Sequence, residues 1–506
     1  MNHLPKKRLP LAILAALGLL GGCTMTPQDT GTGGEAQVTG KAVDGYLAGA
    51  VVFVDTNGNN ALDAWEPSAI TDGDGFYTFN PNDNTDYCNL PTGDSKRVHC
   101  LAAPAALGEV LIRVTGGYDR ITGEPFEGTL TVKADLAQVG DGAADVVVNP
   151  LTSLLDAMDA TAAATWLANE GLTEDDVRGD ILASLAVAAD RSDENDPVNA
   201  SDLPAVKLAW QIHKLVDVLA ARIQAAHPNQ FGGTDQPTDA SHFVYEALAQ
   251  VYTENPSEDS DTLLTNATRL ERVIDLAEQA IQAAGLTGGL SAQEKQDLAA
   301  WGVQLAGLAR DLFASGVSNK GDVEARARAL EAVAALMRDS AISLASTLPG
   351  SIQNALTLAG DATYLTNLRS NKVDMRDLVG KFKAGPVAAA DTDYSARPSL
   401  TANLGISGDS VAGQTLSMNG SSSADSAALT FNEDGTLNAE IQFDDPDLQI
   451  ANDQPIGGTW EQVDDYTMVL NLEVAEGVTM PVVVKTTVDG NYSFDLGGEQ
   501  VTWIPQ

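Results

Sequence analysis

The sequence VVFVDTNGNNALDAWEP, residues 51–67, carries the strongest structural signal in this chain of 506 residues. Its first four residues are β-branched or aromatic, which predicts a short strand. The loop that follows places oxygen atoms at positions 1, 3, 5, 7, 9 and 12, from Asp55, Asn57, Asn59, the Ala61 carbonyl, Asp63 and Glu66. About six to eight oxygen ligands arranged around a tight loop suit Ca2+. The stretch therefore predicts a strand that leads into a calcium loop.

One position of this loop departs from the calcium pattern. Position 6, where the pattern has glycine, is Asn60, and asparagine also tolerates a positive φ. An Asx-rich turn without a metal is the alternative interpretation of the same residues.

The residues on either side of the loop extend the pattern. Asp44-Gly45-Tyr46 precedes the strand, Glu66-Pro67 closes the loop, and Thr71-Asp72-Gly73-Asp74-Gly75-Phe76-Tyr77 follows. Residues 37–80, and by extension 37–148, resemble the B-type, carboxypeptidase-regulatory-like β-sandwich repeats of bacterial surface proteins. The resemblance implies a non-catalytic, calcium-stabilised module. Its calcium ligands would be the six loop residues named above, and a turn is the expected role of Asp72 and Asp74.

Beyond this stretch the chain divides into three segments of different character. Residues 37–148 carry short apolar runs broken by Gly and Asp-Asn clusters, which predicts a β-sandwich. Residues 149–385 are rich in Ala and Leu at helical spacing, which predicts a helical bundle. Residues 396–506 return to short strands and predict an antiparallel β-barrel-like domain. We therefore expect a multidomain α+β protein, in line with about 150 residues per domain.

Local signals place several helices in the middle segment. Leu203 and Pro204 open one helix, whose apolar stripe includes His213. Asp322 is predicted to be the N-cap of another. The remaining periodicity predicts about six to eight helices in total, with candidates at 241–252, 263–284, 292–314 and 323–345.

The last segment contains two hairpin signals. Asn432-Glu433-Asp434-Gly435 and Asp489-Gly490 each lie between runs of strand-forming residues. The segment resembles the small lipocalin-like domains of bacterial lipoproteins in Phe431, Asp434-Gly435-Thr436 and Gly458-Thr459-Trp460, followed by an antiparallel meander. The resemblance implies a barrel whose inward residues line an apolar cavity, and a filled core is the alternative.

The N-terminus has the features of a secretory signal. Lys6, Lys7 and Arg8 precede an apolar run that is shorter than the ~20 residues of a spanning helix. Leu20-Gly21-Gly22-Cys23 resembles a bacterial lipobox, in which the cysteine becomes the lipidated first residue of the mature chain. The resemblance implies a signal peptide at 1–22, and an ordinary signal peptide or an uncleaved anchor is the alternative.

The residues after Cys23 suggest where the protein is located. Residues 23–36 are rich in Thr and Gly and have little apolar content, which predicts a flexible tether. The residue after the lipobox cysteine is Thr24, whereas the usual inner-membrane retention signal is Asp at that position. In this respect the chain resembles the lipoproteins of Gram-negative bacteria that are destined for the outer membrane. We therefore expect a protein of the cell envelope that contacts the membrane through its N-terminal lipid.

Charge and cysteine content narrow the function further. A formal net charge of -41 repels nucleic acid and anionic surfaces, so no nucleic-acid partner is expected. With Cys23 assigned to lipid, Cys88 and Cys100 form an even pair in an oxidising compartment, which predicts a disulfide. A free pair, or a metal site completed by His99, is the alternative.

Catalytic motifs are missing from the sequence. It contains no Gly-x-Ser-x-Gly elbow, Walker loop or His-Glu-x-x-His motif. We therefore expect a non-enzymatic binding, scaffold or adhesion protein with an envelope protein partner. The alternatives are a carrier of a hydrophobic small molecule beside a membrane transporter and an unrecognised hydrolase that uses His213, His227 or His242.

Overall fold

The computed structural model describes residues 35–505, apart from 140–145, 189, 233–235, 315, 343–348, 371, 409, 420–425, 443–455, 476–477 and 497–498. These residues form a mixed α+β structure with an N-terminal β region, a helical middle and a C-terminal curled antiparallel sheet. The predicted α+β class and the order of the three segments are confirmed. The predicted signal peptide and Cys23 lie outside the described residues.

Short strands make up the N-terminal β region. They are β1 (Glu35–Gln37), β2 (Gly40–Ala42), β3 (Leu47–Ala48), β4 (Val51–Asp55), β5 (Ser68–Ile70), β6 (Phe76–Tyr77), β7 (Phe79–Asn80), β8 (Thr85–Asp86), β9 (Ala102–Pro104), β10 (Glu109–Thr115), β11 (Tyr118–Asp119), β12 (Thr129–Asp135) and β13 (Val146–Val148). A four-stranded sheet has the order β12-β10-β4-β5, and a three-stranded sheet has the order β13-β2-β6. The remaining strands form the pairs β1-β9, β3-β11 and β7-β8.

The predicted strand before the loop lies inside the four-stranded sheet. Val52, Phe53 and Val54 of β4 are fully buried, and Asp55 at its end lies opposite Leu111 of β10. Because β-branched and aromatic side chains pack well on a pleated surface, this run is suited to a central position. The strand thus fixes where the loop leaves the sheet.

The change from strands to helices falls at the predicted position. Asn149 follows β13 and accepts hydrogen bonds from the N–H groups of Leu151 and Thr152 as an N-cap. Pro150 then occupies the first helical turn, where its missing N–H costs nothing.

Helices dominate the chain from Pro150 to Ala384. After the short α1 (Leu136–Val139), they are α2 (Pro150–Asp156), α3 (Ala160–Glu170), α4 (Glu174–Arg178), α5 (Leu203–Ala226), α6 (Ser241–Glu254), α7 (Ser260–Leu264), α8 (Ala267–Ala283), α9 (Ala292–Ala314), α10 (Lys320–Ile342), α11 (Gly350–Leu358), α12 (Ala362–Leu368) and α13 (Met375–Ala384). The described residues thus hold more helices here than the expected six to eight, because several are short.

Two details of the helix prediction were wrong. The expected helix at 263–284 is divided into α7 and α8, because Asn266 caps a new helix by accepting from the N–H groups of Thr268 and Arg269. Asp322 is not an N-cap: α10 begins at Lys320, and the Asp322 carboxylate accepts from Ser318 in its first turn.

The central helix of the bundle is α5. It packs against α9 and α10, and its predicted stripe, including His213, is buried. Gly302 of α9 leaves room for close packing here, because a Cβ at this position would lie 2.8 Å from Leu215 Cδ1 and Leu270 Cδ1, and both side chains would have to shift.

The C-terminal sheet is a sequential antiparallel meander. After α14 (Leu400–Asn403) come β14 (Thr415–Asn419), β15 (Ser426–Phe431), β16 (Thr436–Gln442), β17 (Ile456–Asp464), β18 (Thr467–Ala475), β19 (Val478–Thr486), β20 (Tyr492–Leu496) and β21 (Glu499–Pro505). Each strand pairs with the next, and β14 also pairs with β21 over two residues, which closes the sheet. Both predicted hairpins, β15-β16 and β19-β20, are present.

The buried apolar residues do not follow the three segments. One cluster runs from Ala36 to Tyr394 and joins the β region to the helices, whereas the C-terminal sheet has its own cluster from Leu400 to Phe494. A small third cluster joins Ala48 and Tyr118 of the β region to Val463 and Val469 of the sheet. The division into separate domains at 37–148 and 149–385 stays a prediction.

Candidate functional site

The predicted calcium loop is a compact turn anchored at Asp55. The Asp55 carboxylate is buried and accepts the backbone N–H groups of Gly58 and Asn60. Its Oδ2 atom also accepts from Arg113 Nε on β10 at 2.7 Å. This buried ion pair was not expected from the sequence, because Asp55 and Arg113 are 58 residues apart.

The other predicted ligands lie in the same turn. The amide groups of Asn57 and Asn59 donate to Asp63 Oδ2 at 2.8 and 3.1 Å. Glu66 accepts the backbone N–H groups of Thr56 and Asp63, one on each carboxylate oxygen. The structure therefore brings the predicted ligand residues into one loop, with their side chains bonded mainly to the loop itself.

The conformation of Asn60 agrees with the argument made from sequence. Its φ is +61°, in the left-handed region where the calcium pattern has glycine. The Asn60 carbonyl accepts from Thr238 N and Oγ1, and its side-chain amide donates to His242 Nε2 at 2.9 Å. Burial and the nearby Arg113 cation lower the pKa of His242 to about 3, so the ring is a neutral acceptor.

The fit of this loop to a cation is limited by Arg113. An ionised carboxylate oxygen offers about two lone-pair sites, and Asp55 Oδ2 already receives two donors, Arg113 and Asn60. Within the described residues there is no group of three or more His, Cys, Asp or Glu that could hold a metal. A cation could therefore reach Asp55 through Oδ1, which accepts from Gly58, while Oδ2 is filled by its two donors; calcium binding stays a prediction.

The second acidic turn lies away from this loop. Asp72 is buried and accepts from Tyr87 Oη and Asn80 Nδ2, as well as from the N–H groups of Asp74 and Phe76. Its role as a turn residue agrees with the sequence expectation. The backbone N–H of the adjacent Gly73 donates to Glu461 Oε2 of the C-terminal sheet at 2.6 Å.

The predicted disulfide is present. Cys88 and Cys100 are bonded, with their Cα atoms 4.8 Å apart. The prediction is therefore confirmed, and the alternatives of a free pair and a metal site are excluded. His99 instead directs Nδ1 to the Ile70 carbonyl at 2.7 Å.

A buried cluster of charged residues, not predicted as a site, lies between the β region and the helices. Lys214 Nζ of α5 contacts Asp44 Oδ2 and Glu331 Oε2, each at 3.0 Å. Arg338 of α10 lies 3.7 Å from both Asp217 and Glu331. All these side chains except Arg338 are at most 6% exposed, and burial raises the pKa of the Asp44 and Asp217 carboxyl groups.

His213 lies in the middle of this cluster. Its ring stacks on Phe126 with centroids 4.9 Å apart, and Nε2 is 3.3 Å from Asp217. Burial, with a smaller contribution from the Lys214 cation, lowers the pKa of His213 well below its ordinary value. Burial alone would also lower the pKa of Lys214, but the carboxylates of Asp44 and Glu331 raise it well above its ordinary value.

The sequence does contain one sign of this buried charged cluster, namely charged residues at helix positions where apolar residues are expected. His213, Lys214 and Asp217 interrupt the apolar stripe of α5, and Glu331 lies in the Ala-rich helix α10. Buried charges need partners, so such interruptions indicate a buried ion pair. They do not identify Asp44, which lies 170 residues from Lys214 in the sequence.

A second polar junction joins the β region to the C-terminal sheet. Lys485 donates to the Gly123 carbonyl, and Tyr118 Oη donates to Asp464 at 3.4 Å. Arg397 donates to the Thr486 carbonyl at 2.9 Å and pairs with Asp374 at 3.4 Å. A pocket of about 10 Å³ remains between these groups, room for about one water molecule.

The other two candidate histidines, His227 and His242, are also buried in structural contacts. His227 Nε2 lies 3.2 Å from Glu278, and Nδ1 lies 3.1 Å from the Thr287 carbonyl.

A surface cleft of about 140 Å³ between α3 and α6 is lined by Trp166, Tyr252 and polar residues. Neither this cleft nor the smaller pocket is lined by His213, His227 or His242.

The C-terminal sheet encloses packed side chains. Leu429, Phe431, Met468, Leu470 and Val484 are fully buried in its apolar cluster. Neither of the two cavities described above lies among these residues. Over the part of the sheet that is described, these contacts agree with the filled-core alternative.

Comparison with known proteins adds no relative. No family model, no curated protein and no solved structure matches this chain. The resemblances to B-type surface repeats, lipoboxes and lipocalin-like domains therefore stay predictions. Among the described helices, none has the length and apolar character needed to cross a membrane.

Proposed function

We propose that this protein is an envelope-anchored, calcium-binding lipoprotein that acts as a non-catalytic scaffold or adhesion protein. Its N-terminal β region would be a calcium-stabilised β-sandwich of the B-type class, and its C-terminal sheet a lipocalin-like barrel. The lipid on Cys23 would hold it at the outer membrane of a Gram-negative bacterium, where it would bind another envelope protein.

The observation that supports a scaffold most directly is that polar contacts join the β region to the helices and to the C-terminal sheet. Lys214 connects the β region to two helices through Asp44 and Glu331, and Glu461 connects the β region to the C-terminal sheet through Gly73. Buried polar contacts of this kind favour one fixed arrangement of the parts they join. A fixed arrangement suits a protein that presents surfaces to partners.

Calcium is the part of this proposal that one substitution can test. Asp63 is the best position, because its side chain bonds the amides of Asn57 and Asn59 and not Arg113. Replacing Asp55 would also break its buried ion pair with Arg113, and would therefore destabilise the protein with or without metal.

We expect wild type to melt at a higher temperature in millimolar calcium than in chelator. A ligand that binds only the folded state at about 100 times its Kd stabilises by about 2.7 kcal/mol. Asp63→Asn should reduce the calcium-dependent difference and leave the melting temperature in chelator nearly unchanged. Asp83→Asn is the matched control, since Asp83 is an exposed turn residue of the same β region.

Equal melting of wild type in calcium and in chelator would remove the calcium proposal. Isothermal titration of wild type with calcium should agree with the melting result. Loss of the calcium effect in Asp83→Asn as well as Asp63→Asn would indicate a general charge effect.

The carrier alternative has a separate test. A carrier requires an apolar cavity of at least about 300 Å³, and an apolar ligand held there should survive gentle desalting. Native mass spectrometry of the mature protein from its own host would detect that ligand. A bound apolar molecule besides the N-terminal lipid would replace the scaffold proposal with the carrier.

A further inference from the structure

Exposed apolar side chains are concentrated at one end of the four-stranded sheet. Trp65 is 61% exposed, Leu62 42% and Leu107 41%. Large exposed apolar residues elsewhere in the described chain are Ile342 and Ile504. Single exposed apolar residues are normal on a protein surface, but a concentration marks an interaction site.

Strand register places these three residues at the same end of the sheet. The loop with Leu62 and Trp65 starts where β4 ends at Asp55, and Asp55 lies opposite Leu111 near the start of β10. Leu107 lies two residues before β10 begins. We call Leu62, Trp65 and Leu107 the apolar end.

The described chain also enters at this end. Glu35, its first residue, pairs with Pro104, which lies five residues before the start of β10. Five residues span at most about 18 Å. The first described residue, Glu35, therefore lies near the start of β10, where the apolar end is.

The loop that carries Leu62 and Trp65 is held in place from both sides. Glu66 accepts the N–H groups of Thr56 and Asp63, and Thr238 donates to the Asn60 carbonyl. These contacts fix the loop backbone while the two apolar side chains remain exposed. The loop therefore presents them to the surroundings instead of covering them.

We propose that the apolar end inserts into the surface of a phospholipid bilayer beside the lipid anchor, as a second membrane contact. This inference rests on the proposed lipidation of Cys23. Glu35 lies twelve positions after Cys23, a separation that reaches at most about 40 Å when extended. Tryptophan favours the boundary between water and lipid, and tethering makes even a weak second contact effective.

Charge indicates which lipids the apolar end would contact. The chain has a net charge of -41, which repels an anionic surface. Between Thr56 and Trp65 the loop contains one acid, Asp63, whose carboxylate accepts from two asparagine amides. The expected lipids are therefore zwitterionic, such as phosphatidylcholine.

Vesicle flotation of the unlipidated mature chain, residues 23–506 with Cys23→Ser, tests this contact directly. We expect binding to phosphatidylcholine vesicles and weaker binding when phosphatidylglycerol is added. Replacing all three residues of the apolar end by Ser should lower the partition coefficient by about tenfold or more, the effect of losing at least one buried apolar side chain. Ile342→Ser is the matched control, because Ile342 is 48% exposed on the helical part.

Fluorescence quenching by brominated phosphatidylcholine provides a second measurement with a milder change. Wild type should be quenched, and Trp65→Phe should lose the lipid-dependent part of that quenching although the other five tryptophans remain. No binding by wild type, or equal binding by wild type and the triple variant, would overturn the proposal. A photocrosslinker at position 65 in cells that captures a protein and no lipid would also overturn it.

The anchor itself is tested separately. The mass of the protein from its host shows whether Cys23 is acylated, whatever the vesicle result. If Cys23 is acylated but Trp65 is not quenched, the lipid anchor is supported and the second membrane contact is wrong. If Trp65 is quenched by vesicles but Cys23 is not acylated, the membrane contact is supported and the lipid anchor is wrong.

Discussion

Gly73 and Glu461 show how one residue can determine a contact between distant parts of the chain. The Glu461 carboxylate lies so close to the backbone that a Cβ at position 73 would be 2.5 Å from Glu461 Cδ. A side chain at position 73 would therefore require the Glu461 carboxylate to move from this position. Burial and, to a smaller extent, the Asp72 carboxylate raise the pKa of Glu461 to about 8.

A pH-dependent stability follows from this raised pKa. In the unfolded chain Glu461 loses its proton near pH 4.5, whereas in the folded protein it keeps the proton up to about pH 8. The folded state therefore binds more protons between these values, and its stability should fall as the pH rises through this range. Glu461→Gln should make the fall smaller, because its amide oxygen still accepts from Gly73 and cannot ionise.

Melting curves of wild type and Glu461→Gln between pH 5 and 8 check this expectation. Asp119 and Glu124 have pKa values raised to about 7 by burial, so the variant should keep part of the pH dependence. Parallel curves for wild type and variant would contradict a protonated Glu461.

At the scale of single elements, sequence signals worked best where a structure is made by residues close together in the chain. The Asn149–Pro150 boundary, the two hairpins and the disulfide all depend on neighbours within a few or a dozen residues. The break between α7 and α8 was missed, because the Asn266 cap interrupts a continuous apolar stripe. At this position the apolar stripe predicts one continuous helix, whereas the Asn266 cap starts a new helix, and the structure has the new helix.

The segment closed by Cys88 and Cys100 should depend on its disulfide. The disulfide joins two cysteines that are 12 positions apart. Two short 3-10 helices, Tyr87–Asn89 and Ser95–His99, form most of the segment that it closes. In the chain-entropy account, closing a loop of this size stabilises by about 3 kcal/mol. The double variant Cys88→Ser with Cys100→Ser should therefore lose about 2–3 kcal/mol of unfolding free energy, measured in urea.

Wild type in reductant is the control for this pair of substitutions. It should lose the same stability as the double variant, and reductant should not change the variant further. An unchanged urea midpoint in both cases would show that the hydrogen bonds of Arg97 to the Cys88 and Leu90 carbonyls suffice to hold the segment.

For the whole molecule, the shared apolar cluster and the charged cluster around Lys214 join the β region to the helices. Replacing Lys214 by Met would leave Asp44 buried without its cation, and Glu331 with Arg338 alone at 3.7 Å. Removing one partner of a buried ion pair costs about 3–5 kcal/mol. We therefore expect Lys214→Met to lower the unfolding free energy by about that amount.

Lys383→Met is the matched control for this substitution. Lys383 pairs with Asp339 on the surface, where both side chains are about half exposed, so its loss should cost less than about 1 kcal/mol. Far-UV circular dichroism, followed together with a probe in the β region, should show one common transition. A variant in which the helices unfold separately from the β region would contradict the shared core.

The sequence by itself determined the strand that precedes the predicted calcium loop, most of the helices, the two hairpin turns and the cysteine pair. These depend on side-chain periodicity, caps and turn residues, which act over short distances along the chain. Only the tertiary structure decided that Arg113 binds Asp55, that Lys214 lies between Asp44 and Glu331, and that Gly73 meets Glu461. The residues of each pair are 58 to 388 positions apart in the sequence. Which residues pair depends on which groups come into contact when the sheets and helices pack. A local sequence pattern contains no information about contacts between distant residues.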